Sequence, residues 1–321
     1  MTTQAAHKWV FLTKFRSGAY GWNGSRLACQ RLKEALAEIR TVARHDPVQA
    51  ADGAIRLMEK LWPAFQHIDS SSGALGNATS AAVQAGVDVC VAAPADADTR
   101  ARWLDRLWEA VEDDGVGFLE DAVDRWGELC ASPTIASEWA DTFLPTVREL
   151  WTNHVRGTYF HGSTACLSCL LAAGRNEELL DLIALAPHVW WQYRQFGVRA
   201  LAAMGKVDEA ITYAQASRGL NDSQTTIDAA CEAILLAAGR VEEAYEQFAL
   251  SATWASTNLA TFRAIRKKYP MVDPETNLRD LIEGSPGDEG KWFATAKELG
   301  LLELALELAS ASPGGTKSCS T

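Results

Sequence analysis

ILLAAGRVEEAYEQF, residues 234–248, contains the local pattern on which the fold turns. An Ala/Leu-rich run stops at Gly239, Arg240 follows, and Glu243-Ala244 opens a second run with helical spacing. The same order recurs as LLAAGRNEELLDLI at 170–183, ALAAMGKVDEAITYA at 200–214 and TAKELGLLELALEL at 295–308. Gly174, Gly205, Gly239 and Gly300 are separated by 31, 34 and 61 residues, the last close to two units. That spacing is the period of helical-hairpin repeats. Each glycine stands just past an apolar helix, where a left-handed cap conformation is cheap for Gly alone. Glu178, Glu209 and Glu243 then fall in the first turn of the next helix, favourable at its positive end, and small residues such as Ala210 and Ala244 allow close approach. A single hairpin leaves an apolar face uncovered, so the pattern predicts antiparallel hairpins stacked on one another.

The 3.6-residue period continues outward in both directions. Leu27, Leu32, Leu36 and Ile39 recur at helical spacing, and Asp46-Pro47 is a start signal for a helix carrying Ile55, Leu57, Met58 and Leu61. Further helices are predicted near 74–92, 99–113, 117–130, 137–154, 164–173, 177–185, 190–204, 207–217, 222–238, 241–252, 257–268, 274–283, 289–299 and 301–311. Only WVFL at 9–12 and VDVCVAA at 87–93 have strand-like composition, and the second equally suits the end of a buried helix.

The repeated unit resembles the second half of a tetratricopeptide hairpin over roughly residues 165–312, while the Trp and Gly signature expected earlier in each unit is degenerate or absent. No groove residues of that family therefore carry over. The segments KFRSGAYGWNGSRLA, WGELCASPTIASEWAD, FHGSTACLS, RAIRKKYP and PGDEGKWFATAKELG make the chain similar to a group of uncharacterised bacterial all-helical proteins with tetratricopeptide-like repeats. The resemblance implies a fold and no established activity. The expected architecture is all-α: an α-solenoid of antiparallel helix hairpins forming a degenerate tetratricopeptide-like, right-handed superhelix. It divides into an irregular helical region 1–160, basic at its start, helical repeats at 161–312 and a short polar tail at 313–321.

The chain has 321 residues, is 48% hydrophobic and carries a formal charge of -11. This size and composition suit a substantial core, and the charge disfavours general nucleic-acid binding. The average conceals a gradient. Residues 1–60 hold ten Lys or Arg against five acids, leaving -16 on the rest. A basic end on an acidic body can attract an acidic partner, a nucleic acid or the acidic part of a second copy. The seven cysteines, Cys29, Cys90, Cys130, Cys166, Cys169, Cys231 and Cys319, are scattered through mostly apolar contexts and read as reduced thiols. With no basic-then-apolar leader at Met1 and no membrane-length apolar run, a cytoplasmic location without membrane contact is expected.

Candidate chemistry is sparse. Gly24, Ser25 and Arg26 form an anion candidate at a helix start, but a phosphate loop needs two glycines flanking four residues and then Lys-Ser/Thr. Gly18 and Gly24 flank five, and no lysine precedes Ser25. The competing reading is a cap by Ser25 or Asn23, with Tyr20 and Trp22 packing the loop. In HIDSSSGALGNATSAAV, residues 67–83, Asp69 and the serines are expected to cap a helix. His154, His161, Cys166 and Cys169 could in principle ligate zinc. A cap at Ser163 or Thr164 would instead carry both cysteines into a buried helix. Carboxylates crowd residues 109–128, including Glu120 and Asp124 one turn apart, and a solvated edge is the expected role. No Ser, His and Asp grouping emerges from spacing, and no motif requires a cofactor.

Twelve tryptophans are many for this length, and adjacent Trp190 and Trp191 point about 100° apart on a helix, so one should face an inter-helix groove. The expected protein-binding surface comprises Trp190, Trp191, Tyr193 and Arg194 with the basic strip Arg263, Arg266, Lys267 and Lys268. At the end, LGLLELALELA (299–309) carries Leu301, Leu302, Leu304, Leu306 and Leu308, relieved mainly by Glu303 and Glu307. A truncated array whose last face buries against another chain is expected there. The leading function is a cytoplasmic protein-interaction scaffold or adaptor built on helical repeats, with self-association as one use of it. The alternatives are nucleic-acid binding through the basic first 60 residues and a metal-dependent enzyme.

Overall fold

The computed structural model describes residues 7–153, 160–219 and 222–311. Within them are eighteen α-helices and no strand. The chain separates into two compact units, 1–188 and 189–321.

The first unit contains α1 (Ser25–Ala43), α2 (Pro47–Met58), α3 (Leu61–Phe65), α4 (Ala74–Ala92), α5 (Ala97–Glu112), α6 (Glu120–Asp124), α7 (Trp126–Cys130), α8 (Pro133–Thr152), α9 (Gly162–Ala172) and α10 (Asn176–Ala184). α1, α2 and α4 pack on one another, and α9 packs against α6, α7, α8 and α10. Every residue from Gly162 to Leu170 is buried, Ser163, Thr164 and Ser168 included, so α9 is enclosed by its neighbours over most of its length. The strand-like WVFL does not form a strand. Trp9 and Phe11 instead pack inward, and Phe11–Thr13 is a single 3₁₀ turn. VDVCVAA lies mostly in the last turns of α4 and ends just past it.

Two predicted helices break. The one that starts at Pro47 ends at Met58, and Leu61 falls in the separate α3. Residues 117–130 form α6 and α7, separated at Arg125, where φ and ψ are -110° and 21°. The reason is tertiary: α7 lies so close to α9 that a Cβ on Gly127 would fall 2.1 Å from the Ser168 carbonyl oxygen. The Gly127 N–H donates to Ser168 Oγ at 3.0 Å, and Trp126 is carried into an aromatic cluster with Trp108 and Trp139.

A buried arginine near the start of α5 joins the ends of two other helices without a carboxylate. Arg100, 4% exposed, donates to the carbonyls of Cys90 at 3.1 Å, Ala93 at 2.7 Å and Leu129 at 2.9 Å. These carbonyls lie in or just after the last turns of α4 and α7, where helices leave acceptors unpaired and carry partial negative charge. The guanidinium also lies over Trp103, 5.7 Å from the ring centroid.

The second unit contains α11 (Trp191–Ala203), α12 (Val207–Ala216), α13 (Gln224–Ala237), α14 (Val241–Phe248), α15 (Asn258–Lys268), α16 (Pro274–Glu283), α17 (Phe293–Glu298) and α18 (Leu302–Ala311). α11 packs on α12, α12 on α13 and α13 on α14; α15 packs on α16, and α17 on α18. A 3₁₀ turn, Glu289–Trp292, replaces the start of the helix predicted at 289–299 and buries Trp292.

All four repeat glycines are left-handed, with φ of 73°, 77°, 75° and 76° at Gly174, Gly205, Gly239 and Gly300. Nothing lies within 4 Å of a Cβ placed on any of them, so conformation rather than crowding demands glycine. Each is followed by the same backward hydrogen bond, five residues long: Arg175 to Leu170, Lys206 to Leu201, Arg240 to Leu235 and Leu301 to Ala296. This is the Schellman closure of a helix end. The glutamates placed at helix starts have a second partner in the residue after the glycine: Arg175 pairs with Glu178, Lys206 with Glu209 and Arg240 with Glu243. Arg175 and Arg240 also reach back to Asp141 and Asp208.

Replacing Arg100 with Met removes three charge-assisted hydrogen bonds and leaves the Leu129 carbonyl without a donor, while those of Cys90 and Ala93 keep the N–H groups of Ala93 and Ala95. The expected loss is about 3 kcal/mol of unfolding free energy, with a smaller loss for Arg100→Lys, read by urea denaturation followed by far-UV circular dichroism.

Candidate binding groove

An opening lined by a predicted site residue lies between α11 and α13. Its volume is about 650 Å³. Trp191, Gln195, Val198, Arg199 and Ala202 line it from α11, Gly205 and Val207 from the turn, and Thr226, Ala230, Ala233, Ile234, Ala237 and Ala238 from α13 and its C-terminal end. Helical spacing explains the alanine wall: Ala230, Ala233 and Ala237 follow one another at three- and four-residue steps and share a face. Their short side chains keep the neighbouring helices from filling the space between them.

Of the two adjacent tryptophans, Trp191 lines this groove. Asp222 fixes the start of its helix, accepting from the N–H of Trp191 at 3.3 Å and of Gly219 at 2.7 Å. Trp190, at the N-cap, is 45% exposed and its ring lies 5.6 Å from that of Tyr193. Tyr193 itself is buried. Arg194 turns to α12, donating to Tyr213 Oη at 2.8 Å, and Tyr213 lies across Gly197, where a Cβ would sit 2.9 Å from the ring. Arg194 is therefore a fastener between α11 and α12.

Arg263, Lys267 and Lys268 of the basic strip are exposed and Arg266 is half-buried, but three of the four are engaged by groups of the fold itself. Arg263 pairs with Glu298. Arg266 donates to the carbonyls of Tyr269 and Val272 just past the C-terminal end of α15. Lys268 donates to Glu232 at 2.6 Å and to Thr253 Oγ1 at 3.1 Å. Lys267 is exposed. Neutralising helix-end carbonyls and a buried acid accounts for this run of cations better than its sequence spacing suggests.

Glu232 was not singled out by sequence, since an acid inside an apolar helix looks like any polar residue. It is 3% exposed and accepts from both Lys268 and Tyr269 Oη, the latter at 2.7 Å. Tyr269 packs edge-on against Tyr245, which donates to Asp280 at 2.7 Å and accepts from Asn277 at 2.9 Å. Side chains from α13, α14, α15 and α16 and the residue ending α15 are thereby joined. A cleft of about 590 Å³, lined by Tyr245, Leu250, Asp280 and Leu281 among others, lies between α14 and α16.

Burial and donation to Asp280 push the Tyr245 hydroxyl up to about 12, and burial and Glu232 push Tyr269 in the same direction.

The zinc candidates do not converge. His154 lies outside the described residues. His161 is the N-cap of α9, which begins at Gly162 with no side-chain cap, so Ser163 and Thr164 are buried within the helix and do not cap it. Cys166 approaches the Ala140 carbonyl of α8 at 3.8 Å, whereas Cys169 hydrogen-bonds Cys130 at the end of α7. The thiols face different helices, and burial pushes Cys166 up to about 12, far from the thiolate that a metal requires. Among the described residues, no group of three or more His, Cys, Asp or Glu is placed to hold a metal.

At the anion candidate, α1 begins after Gly24 with no side-chain cap, contrary to the expected Ser25 or Asn23 cap. Gly24 donates its N–H to Gly21 at 2.8 Å, and a Cβ there would meet Gly21 O and Tyr20 at 2.9 Å. The glycine thus answers a packing need. Tyr20 packs inward as expected, but Trp22 is 67% exposed. Asp69 closes a local turn onto Ser71 rather than capping α4, whose N-cap is left-handed Gly73. Glu120, Asp121 and Asp124 line an opening that also includes Ser70, an acidic setting for that serine.

Comparison with family models, with curated proteins and with solved structures returns no match.

Two measurements follow from these environments. In a Cys29→Ser/Cys319→Ser background at pH 8, iodoacetamide is expected to leave native Cys90, Cys130, Cys166, Cys169 and Cys231 unmodified and to label them in denaturant. For the tyrosines, a raised folded-state value means both states stay protonated below about 10, the ordinary tyrosine value. Stability is therefore full there and falls between about 10 and 12, as the unfolded chain ionises first. Tyr245→Phe/Tyr269→Phe should flatten that alkaline limb in denaturation curves collected across the range.

Proposed function

We propose that the chain is a protein-interaction scaffold whose hairpins stack as a degenerate tetratricopeptide-like solenoid, and that the α11–α13 groove receives a partner segment. The observation that carries this reading is the open, alanine-walled groove of about 650 Å³ with Trp191 at its rim. Four Schellman turns at repeat spacing support the solenoid, because the same closure directs each following helix back along its predecessor. An apolar groove between helices accepts the apolar face of an amphipathic helix, with anchors at three- and four-residue steps. Exposed Leu302 and Leu306 on α18, 66% and 71% exposed, form one such ridge and support self-association as a second use of the scaffold. A cytoplasmic setting suits the reduced thiols.

Ala233→Trp fills the groove from its exposed side and should leave the helical content unchanged. Affinity capture from the native cell with wild type and Ala233→Trp in parallel is expected to show partners retained by the first and lost by the second. Identical retention by both would remove the groove from the reading.

A further inference from the structure

The solvent face of α1 carries a straight row of cations that the scaffold does not use. Arg26, Lys33, Arg40 and Arg44 are all exposed. At about 100° per residue they fall within about 40° of one another around the helix, and they extend over about 27 Å along it. The row is uninterrupted by acid. The two glutamates of α1 lie on other faces and are engaged: Glu34 accepts from Lys14 at 2.9 Å and from Arg31 at 2.6 Å. Glu38 accepts from His7 and from the N–H groups of Val10 and Phe11. Asp69, on the loop whose N–H meets the Trp22 carbonyl, is turned onto Ser71.

Trp22, 67% exposed, stands four residues before Arg26 in the turn that leads into α1. Its backbone is held on both sides, through Asp69 and through the Gly21–Gly24 turn. Held in this way, the exposed ring offers a flat apolar face on which a base can stack. A linear cationic track with an aromatic platform at one end matches a single-stranded nucleic acid, whose phosphates follow the track and whose bases stack on the ring.

We propose that this face of α1 binds single-stranded nucleic acid through its backbone, without sequence preference. The site is separate from the α11–α13 groove and independent of the scaffold reading. A net charge of -11 does not oppose this: the two acids of α1 are engaged on its other faces and the row itself carries four cations and no acid.

The test is fluorescence anisotropy of labelled oligo(dT) of about 15 nucleotides with the full chain over a salt series. Four phosphate contacts predict a slope of log K against log salt of about -3, at about -0.7 per contact. Each single change to Gln at Arg26, Lys33, Arg40 or Arg44 should lower the slope's magnitude by about 0.7, and the quadruple change should weaken binding at least about tenfold at low salt. Trp22→Ala should weaken binding at every salt concentration and leave the slope unchanged. These side chains are exposed, so unchanged circular dichroism and thermal midpoints verify folding. No binding at low salt, or a quadruple variant with the wild-type slope, overturns the proposal. So does retention on phosphatidylserine vesicles with none on oligo(dT), which would assign the face to a lipid surface.

Discussion

A helix ends with backbone carbonyls that have no partner in the helix, and a chain of many short helices meets this requirement again and again. This molecule meets it in two ways. At Gly174, Gly205, Gly239 and Gly300 the chain closes on itself through a left-handed residue and a backward hydrogen bond. At the ends of α4, α7 and α15 an arginine side chain supplies the donors, Arg100 for the first two and Arg266 for the third. The first solution also sets the direction of the following helix, so hairpin geometry and end closure are one event. The second ties together helices distant in sequence, which backbone closure cannot do.

This constraint changes how the charges of the chain are understood. Arg175 and Arg240 bond the acid three residues on and an acid of an earlier helix. Exposed pairs of this kind contribute little each, but they hold neighbouring helix starts in register. Arg194 and Lys268 act between helices, with the buried carboxylate of Glu232 at the centre of the second contact. Breaking a buried ion pair is costly because one charge is left uncompensated, so the α15–α16 hairpin is held to α13 and α14 by a few specific side chains. Among the described residues, the exposed cations Arg26, Lys33, Arg40 and Arg44 follow one line along α1, whose own acids are engaged on its other faces. A chain acidic on average thereby presents one strongly basic face.

Small residues have a complementary effect. Alanines on α13 hold open a groove beside Trp191, whereas Gly127 allows α7 to touch the backbone of α9 and Gly197 allows Tyr213 to cross α11. In the first case the missing volume faces outward and remains as a recess. In the other two it is filled by a neighbour, and the result is tight packing. Whether a small residue creates a site or a contact depends on what approaches it, a property of the assembled unit.

Periodicity, glycine placement and the Asp46-Pro47 start signal were enough to read the helices, and the repeat glycines were legible down to their conformation. The reason is that helix phase and left-handed caps depend on neighbours within a few residues. Several exceptions share a tertiary cause. WVFL has strand propensity but no strand to pair with, and its aromatics are buried from a 3₁₀ turn; residues 117–130 break because α9 approaches Gly127. Ser25, Asn23 and Asp69 were suitable caps whose positions the packing of Tyr20 and the turn at Ser71 overrode. Among the candidate site residues, Trp191 in a groove was foreseeable from the 100° divergence of adjacent tryptophans, but Tyr193 is buried and Arg194, Arg266 and Lys268 are engaged by partners 19, 3 and 36 residues away in sequence. Sequence alone thus determined where the chain is helical and how its hairpins turn, because those are local energies. Which cations stay exposed, which small residues leave a groove and which acid is buried were decided only in the folded units, where distant side chains compete for the same donors, acceptors and space.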